Sequence, residues 1–343
     1  MISWLYRKIH IAVVFSEEGC DVGVSTYKNK KRLAKETRRF EGEHLYEELA
    51  EYVQKFSLES PYCYVSVLNS DNNQGAVEGC SLHEISESGD TSGIRTLCRK
   101  QKWMLYASIK ELNGLKSRFS KIGLDFIFSP FSVIEHFFAD KIGGDMALFA
   151  LVQKELLTLA FFEKGKLEFA HHYPMHQEGL LLETPDTSTD FAIDEEEEHD
   201  DLINGINLDD IESLDDLEII DELDDLNDLE DLDTLDEIEE FSEEFTVPEQ
   251  HNATSKGMEA KEMLDRSNDS FHRFEIIQKA LSQFYAGEHC HNRFVETVYI
   301  ADATGGSAEL KRYLEEELFV GVLVRRIDLV DEVTALSVIE EEG

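Results

Sequence analysis

The sequence predicts an α/β protein with mixed sheets, built twice on one plan and split by a long acidic insertion. Three observations predict it. Strand-length apolar and alternating runs follow the order hairpin, third strand, helix, strand near residues 9–68, and a second hairpin-bearing unit begins at residue 147. Helix-period stretches separate the remaining strands, the alternation expected of an α/β chain. Between Lys166 and Lys256 there is no lysine or arginine, and 31 acidic residues fall between Glu183 and Glu249, most of the net charge of −41.

Ile9–Phe15 is a continuous apolar run and reads as a buried strand. Glu17–Gly19 makes a turn, Asp21–Tyr27 alternates as the second arm of a hairpin, and Lys31–Phe40 reads as a third, exposed strand. In Gly42–Phe56 the residues Leu45, Leu49, Tyr52, Val53 and Phe56 fall at helical spacing, with acids early where the helix dipole favours them. Tyr62–Leu68 returns as a strand, whereas Gln74–Arg95 is polar and carries no periodic signal. Trp103–Ser108 reads as a strand and Lys110–Ile122 as a helix stopped by Gly123; Leu124–Phe128 is again a strand, and Pro130 opens a helix. Ala147–Val152, Leu156–Phe162 and Lys166–His171 form a meander turning at Lys164–Gly165. Past the insertion, Phe271–Tyr285 is an amphipathic helix, Val298–Ala301 a strand, Thr304–Ser307 a Gly-Gly turn, Ala308–Leu318 a helix and Gly321–Ile327 a last strand.

The insertion has a period of three. Leu202, Leu208, Ile211, Leu214, Leu217, Ile220, Leu223, Leu226, Leu229, Leu232, Leu235, Ile238 and Phe241 recur at every third position, with Gly205 the one miss. On an α-helix, at 100° per residue, such residues drift by about 60° per step and form no single stripe. A strand needs period two, and long 3₁₀ runs are rare. Self-repulsion of the carboxylates opposes collapse as well, so 186–250 reads as an acidic-hydrophobic disordered arm that orders, if at all, on a partner, or else as a plain solvated linker.

Without the arm, residues 1–166 are charge-balanced and 250–343 mildly acidic. The five cysteines show no CxxC spacing and no even pairing scheme, which predicts reduced thiols. No apolar run approaches the roughly 18–20 residues of a membrane span, and Met1–His10 lacks a signal-peptide core, so the expectation is a cytoplasmic protein. The cluster Lys28, Lys30, Lys31, Arg32, Lys35, Arg38 and Arg39 could meet phosphate or lipid, stand as a solvated face, or dock the arm, while the overall field disfavours nucleic acid. His289, Cys290 and His291 have no second cluster at zinc spacing, and His171, His172 and His176 follow a strand. Aspartates of the arm match no EF-hand or β-roll pattern, and there is no P-loop or GxSxG. No metal site is expected.

Three stretches carry a family likeness. WMLYASIKELNGLKSRFSKIGLDFIFSPFSVIEHFF (103–138), ALFALVQKELLTLAFFEKGKLEFAHHYP (147–174) and VETVYIADATGGSAELKRYLEEEL (295–318) resemble segments of the actin-like (sugar kinase/Hsp70 fold) proteins, in particular PilM-type pilus assembly proteins and the cytoplasmic domain of GspL-type secretion proteins. The resemblance implies a two-lobed actin-like (ribonuclease H-type) mixed-sheet fold: residues 1–146 as a first lobe with an inserted subdomain, 147–185 with 255–343 as the second, and the arm in place of a subdomain. It also implies three nucleotide elements. In such folds the hairpin turns hold an Asp that directs Mg²⁺ and a Gly that admits phosphate. Here the equivalent positions fall near Val13–Phe15, with Glu17 and Glu18 behind, and near Val152–Lys154, with neither Asp nor Gly. Only Gly305, Gly306 and Ser307 of the third turn remain, so no ATPase activity and no bound cofactor are expected, ATP being the one candidate.

The resemblance implies a non-catalytic scaffold of a type IV pilus, type II secretion or DNA-uptake machine, binding the cytoplasmic tail of an inner-membrane assembly protein, with an assembly ATPase or a second copy as further partners. The alternatives are an ATP-binding actin-like protein that dimerises or polymerises with nucleotide, and an adaptor acting through the arm. Leu208, Leu214, Leu217, Leu223, Leu226, Leu229 and Leu232, with Lys30, Lys31, Arg32, Arg38 and Arg39, are the candidate interaction residues.

Overall fold

The computed structural model describes residues 6–42, 44–81, 93–100, 102–175, 253–287 and 294–342, with the backbone alone over 253–267. The acidic arm lies outside the described residues.

Strands β1 (Lys8–Ser16), β2 (Gly19–Lys28) and β3 (Lys31–Glu41) form an antiparallel meander, followed by helix α1 (Leu45–Glu59) and strand β4 (Tyr62–Leu68). β4 runs parallel to β1, and β8 (Phe126–Phe128) parallel to β4, giving the order β3-β2-β1-β4-β8. The second sheet repeats this plan. β9 (Ala147–Val152), β10 (Leu156–Glu163) and β11 (Lys166–Pro174) form the meander, and β12 (Thr297–Asp302) and β13 (Gly321–Arg326) add in parallel, in the order β11-β10-β9-β12-β13. Two five-stranded sheets of one topology, each opening on a hairpin, make a duplicated ribonuclease H-type architecture. This is the actin-like fold.

The helices layer the sheets. α1 and α2 (Ile109–Arg118) cover the outer face of the first sheet, where Leu49, Val53, Leu115 and Phe119 meet Ile11, Val13 and Val67. α4 (Ala253–Ala286) and α5 (Ala308–Glu317) cover the outer face of the second, with Phe274, Ile277, Leu310 and Leu314 against Leu148 and Ile300. Between the sheets lie α3 (Pro130–Phe137) and α6 (Leu329–Glu342), whose Phe131, Ile134, Val330, Val333 and Leu336 share a core with Val14, Phe149 and Leu151. Phe149 stacks on Tyr299 at 5.0 Å and touches Phe138 and Phe162.

Several expectations are corrected here. The polar stretch Gln74–Arg95 conceals strand β5 (Gln74–Glu78), and β6 (Ile94–Arg99) begins at its end; both pair with β7 (Trp103–Ser108) in a third sheet of order β5-β7-β6. β6 is largely exposed, and β5 buries only Gln74, Gly75 and Ala76, small or polar residues, so neither sequence carries an apolar period. Cys80 and Cys98 are joined in a disulfide, against the expectation of reduced thiols throughout, because the third sheet brings together residues 18 apart that no spacing rule connects. Cys20 and Cys63 are free. The helix expected at Phe271–Tyr285 begins at Ala253. Helix α6, absent from the sequence reading, packs across β1, β2 and β4 of the first sheet although it follows the last strand of the second.

Candidate functional site

Three turns at the C-terminal ends of β1, β9 and β12 border a cleft of about 670 Å³. These are the positions at which an actin-like fold presents its phosphate and nucleoside elements, so each turn decides what the cleft can hold.

The first two turns touch each other. The Glu17 amide donates to Glu155 Oε1 at 2.6 Å, and Lys154 Nζ donates to Glu18 Oε1 at 3.1 Å. Arg39, two strands away on β3, reaches Glu18 at 3.4 Å, Asp21 at 3.3 Å and Glu41 at 2.5 Å. The Lys154 hydrogen bond and charge hold the Glu18 carboxyl below its ordinary range. Glu18 is thus one half of a clamp between the two hairpins while it also lines the cleft. The ring of Phe15 is placed differently from expectation. It packs outward on Tyr46 at 5.9 Å and Phe119 at 6.0 Å, because alternation along β1 turns it toward the α1–α2 side.

The third turn is closed by its own aspartate. Asp302 is 5 % exposed, and its oxygens accept hydrogen bonds from Thr304 N (2.8 Å), Thr304 Oγ1 (2.8 Å), Gly305 N (2.9 Å) and Ser307 N (3.1 Å). Burial pushes the carboxyl up, but these donors more than offset it and hold the group below its ordinary value. Gly306 N is taken by Thr304 Oγ1 at 3.2 Å. The amides of Gly305, Gly306 and Ser307, which a bound phosphate would use, are therefore already satisfied within the turn. Gly305 has φ +75°, a left-handed conformation that favours glycine. Sequence reasoning singled out the glycines and missed Asp302; the signal was an Asp three residues ahead of a Gly-Gly pair, the spacing of a side-chain-capped turn. Asp302→Ala should strip four hydrogen bonds to a charged group. A loss of about 2–4 kcal/mol is expected in denaturant unfolding, with Asp302→Asn intermediate since one oxygen remains.

Between the second and third turns Arg273 of α4 rises into the cleft, 6 % exposed, donating from Nη2 to the Gln153 carbonyl at 3.2 Å, with Asp269 at 3.9 Å. Burial pulls the guanidinium below its ordinary value. Among the described residues Arg273 Nε, Gln153 Nε2 and the Ser307 hydroxyl have no hydrogen-bond partner. Across the lining, Glu18, Asp21, Glu41, Glu155 and Asp269 outnumber Arg39, Lys154 and Arg273. The field of the cleft opposes a polyanion.

A second concavity, about 420 Å³, lies between the third sheet and the first. Leu97, Leu105 and Tyr106 of β6 and β7 face Leu112 of α2 and Phe126 and Phe128 of β8, with Arg95 and Lys116 also in its wall. Among the described residues Arg95 and Lys116 have no ion-pair partner, whereas Arg99 is held by Glu135 at 3.0 Å and Glu340 at 3.2 Å. Asp125 and Glu340 share the lining, so the concavity has an apolar floor and a rim of mixed charge.

The expected basic cluster is real but occupied. Lys30 pairs with Glu342 (2.8 Å), Arg32 with Asp331 (3.2 Å) and Lys35 with Asp328 and Asp331 (3.1 and 2.7 Å), while Arg38 lies over the Phe40 ring at 4.8 Å. Lys31 lies at the exposed start of β3. Helix α6 and the residue before it supply most of the acids that pair with this cluster, for which the arm was one of the alternatives. The arm leucines 208, 214, 217, 223, 226, 229 and 232 lie outside the described residues, as do His289, Cys290 and His291. His172 is buried against Phe131 and bonded to Thr158 Oγ1 at 2.8 Å, a core histidine and not a ligand. Among the described residues no group of three His, Cys, Asp or Glu side chains is placed to hold a metal, and no helix is long and apolar enough to cross a membrane.

The model of a protein family described as Domain of unknown function (DUF8341) matches residues 148–342, more than half of the chain. The chain belongs to that family. A second model, Domain of unknown function (DUF8569), matches residues 6–135. No curated protein matches the chain. Among solved structures it is similar to a protein with actin-like ATPase fold and unknown function from Bacteroides thetaiotaomicron VPI-5482, at 9 % identity and TM-score 0.47, over 97 % of this chain and 96 % of that one. It is similar to the PilM–PilN type IV pilus biogenesis complex at 10 % identity and TM-score 0.48, over 94 % and 89 %. The cytoplasmic domain of EpsL, an inner-membrane component of the Vibrio cholerae type II secretion system, aligns at 13 % identity and TM-score 0.31, over 52 % and 76 %.

Proposed function

We propose that this chain is a non-catalytic actin-like scaffold of a type IV pilus, type II secretion or DNA-uptake machine, and that it captures the cytoplasmic tail of an inner-membrane assembly protein. The observation that carries the non-catalytic half is the clamp between the hairpins. Where phosphates would lie between two backbone-donor turns, Glu17–Glu155 and Glu18–Lys154 bridge the gap, and neither turn offers an aspartate for Mg²⁺. Opening the clamp for a triphosphate would leave the exposed Glu18 and Glu155 carboxylates beside it, like charges that disfavour a polyanion even where water screens them. The chain then acts by binding, and at the inner face of the membrane through its partner.

The groove supports the tail-binding half. Its walls come from two sheets, its floor is aromatic and aliphatic, and among the described residues Arg95 and Lys116 form no ion pair, although Asp125 and Glu340 share the lining. A short peptide in extended form would bury its apolar side chains there and place a carboxylate near those cations. The machine-level assignment rests on the likeness of segments 103–138, 147–174 and 295–318.

Two measurements test the reading. Calorimetry with MgATP should show no binding tighter than about 100 μM, roughly 5.5 kcal/mol, and phosphate release should stay at background. A micromolar isotherm weakened by Arg273→Ala would favour the nucleotide-binding reading instead. With tail peptides from inner-membrane proteins encoded beside this chain, binding should weaken by about 1–3 kcal/mol, roughly 5- to 150-fold, in Leu97→Asp and Arg95→Glu, the loss expected of a central groove contact. Equal binding by both variants would remove the groove from the proposal.

A further inference from the structure

Cys80 and Cys98 are both exposed, and the bond between them closes a ring across the third sheet. Cys98 sits on β6, the outer strand of that sheet, hydrogen-bonded to β7 alone. No side chain of β6 belongs to any of the three buried cores, and Leu97 is 57 % exposed. Among the described residues the strand is held by one ladder of backbone hydrogen bonds, by the ion pairs of Arg99 with Glu135 and Glu340, and by this disulfide. Yet β6 provides Arg95, Thr96, Leu97 and Arg99 to the groove wall. A wall with so little apolar anchorage depends heavily on its covalent tie.

We propose that the Cys80–Cys98 bond is a thiol–disulfide exchange site that sets the order of β6 and, through it, the affinity of the groove. Only the last clause rests on the groove being the tail site. The co-reactant is a dithiol. One of its thiolates attacks either exposed sulfur, forming a mixed disulfide while the other cysteine leaves as a thiolate and takes up a proton. The second donor thiol then attacks the mixed disulfide, so the donor ends as a disulfide and Cys80 and Cys98 as two thiols, two electrons having passed to them. The reverse exchange with an oxidised dithiol restores the tie. The other described thiols stand apart from this chemistry. Cys20 is buried, with burial pushing its thiol up to about 12, and Cys63 is half-buried and pushed up to about 11.

The test uses the full chain, treated with dithiothreitol or with oxidised dithiothreitol and needing no substitution. Thiol alkylation followed by peptide mass analysis should show Cys80 and Cys98 protected in the oxidised sample and labelled in the reduced one, with Cys20 labelled in neither unless the chain is unfolded. Hydrogen exchange of the 94–99 amides should speed by about tenfold or more on reduction, since a short ring no longer restrains the opened strand. Tail-peptide affinity should fall by a similar factor, and the Cys80→Ser/Cys98→Ser chain should behave as reduced under both conditions. Failure of the bond to form under oxidation, or reduction that leaves exchange at 94–99 unchanged, would overturn the proposal. Reduction that loosens β6 while tail peptides bind neither state would uphold the exchange site and sink the tail-groove reading.

Discussion

Ending the chain after Ile327 should leave a protein without a stable first lobe. The removed helix α6 buries Val330, Val333 and Leu336 at 6 %, 0 % and 3 % exposure in the core between the sheets. At about 1.5–3 kcal/mol for each fully buried aliphatic side chain, roughly 5–9 kcal/mol would be lost, comparable with the whole stability of a typical domain. Its ion pairs with Lys8, Lys30, Arg32 and Lys35 are exposed or partly so and add little. The truncated chain should bind a hydrophobic dye and unfold without a cooperative transition, and a sharp transition near that of the full chain would refute this. A subtler variant checks the same contact. A Cβ on Gly23 of β2 would stand 2.1 Å from Val330 Cγ1, so the helix approaches the sheet through the missing side chain. Gly23→Ala should cost about 1–3 kcal/mol by overpacking, and Val330→Ala in the same chain should recover part of it, a coupling that a double-mutant cycle reads directly.

Acid should destabilise the protein well before its carboxylates are protonated. His10 is buried beside Tyr27 and Tyr64 with Nδ1 on Ser337 Oγ at 2.9 Å, and His172 is buried on Thr158; burial lowers each from 6.5 to about 4. Because the folded values lie below the unfolded one, the unfolded chain binds more protons in between. Stability is therefore full above about pH 6.5 and is lost as pH falls toward 4, by about 3 kcal/mol per histidine. His136 works in the other direction. Its hydrogen bond to Glu332 raises it, so its contribution is present below its unfolded value and fades as pH rises through the folded one. Urea midpoints between pH 4 and 7 should fall steeply with acid, and His10→Gln/His172→Gln should flatten that slope. An unchanged slope in the double variant would show that other groups carry the acid sensitivity.

How much of this was legible in the sequence differs by element. The hairpins were legible because a buried strand such as Ile9–Phe15 and its alternating partner carry their own period. The absence of Asp and Gly near Val13–Phe15 and Val152–Lys154 was legible, but not the contact that joins the two turns. Glu18 and Lys154 lie 136 positions apart, and nothing local marks them as partners. The strands β5 and β6 escaped because β5 buries only small or polar residues, β6 is largely exposed, and both take their places from β7. Helix α6 escaped because it is wedged between two sheets, so its apolar residues spread around the helix and show no one-sided stripe.

By itself the sequence determined the repeated hairpin plan, the lack of Asp and Gly near Val13–Phe15 and Val152–Lys154, and the concentration of charge between Glu183 and Glu249. Only the tertiary structure decided where the charges and thiols meet. The cations of β3 and of the turn before it find Asp328, Asp331 and Glu342 roughly three hundred residues later, and Cys80 finds Cys98 across a sheet with no visible period. The physical reason is that a side-chain pattern records which face of an element leaves water, since burial depends on local period. It does not record what that face or its rim is laid against, which depends on the order in which strands join.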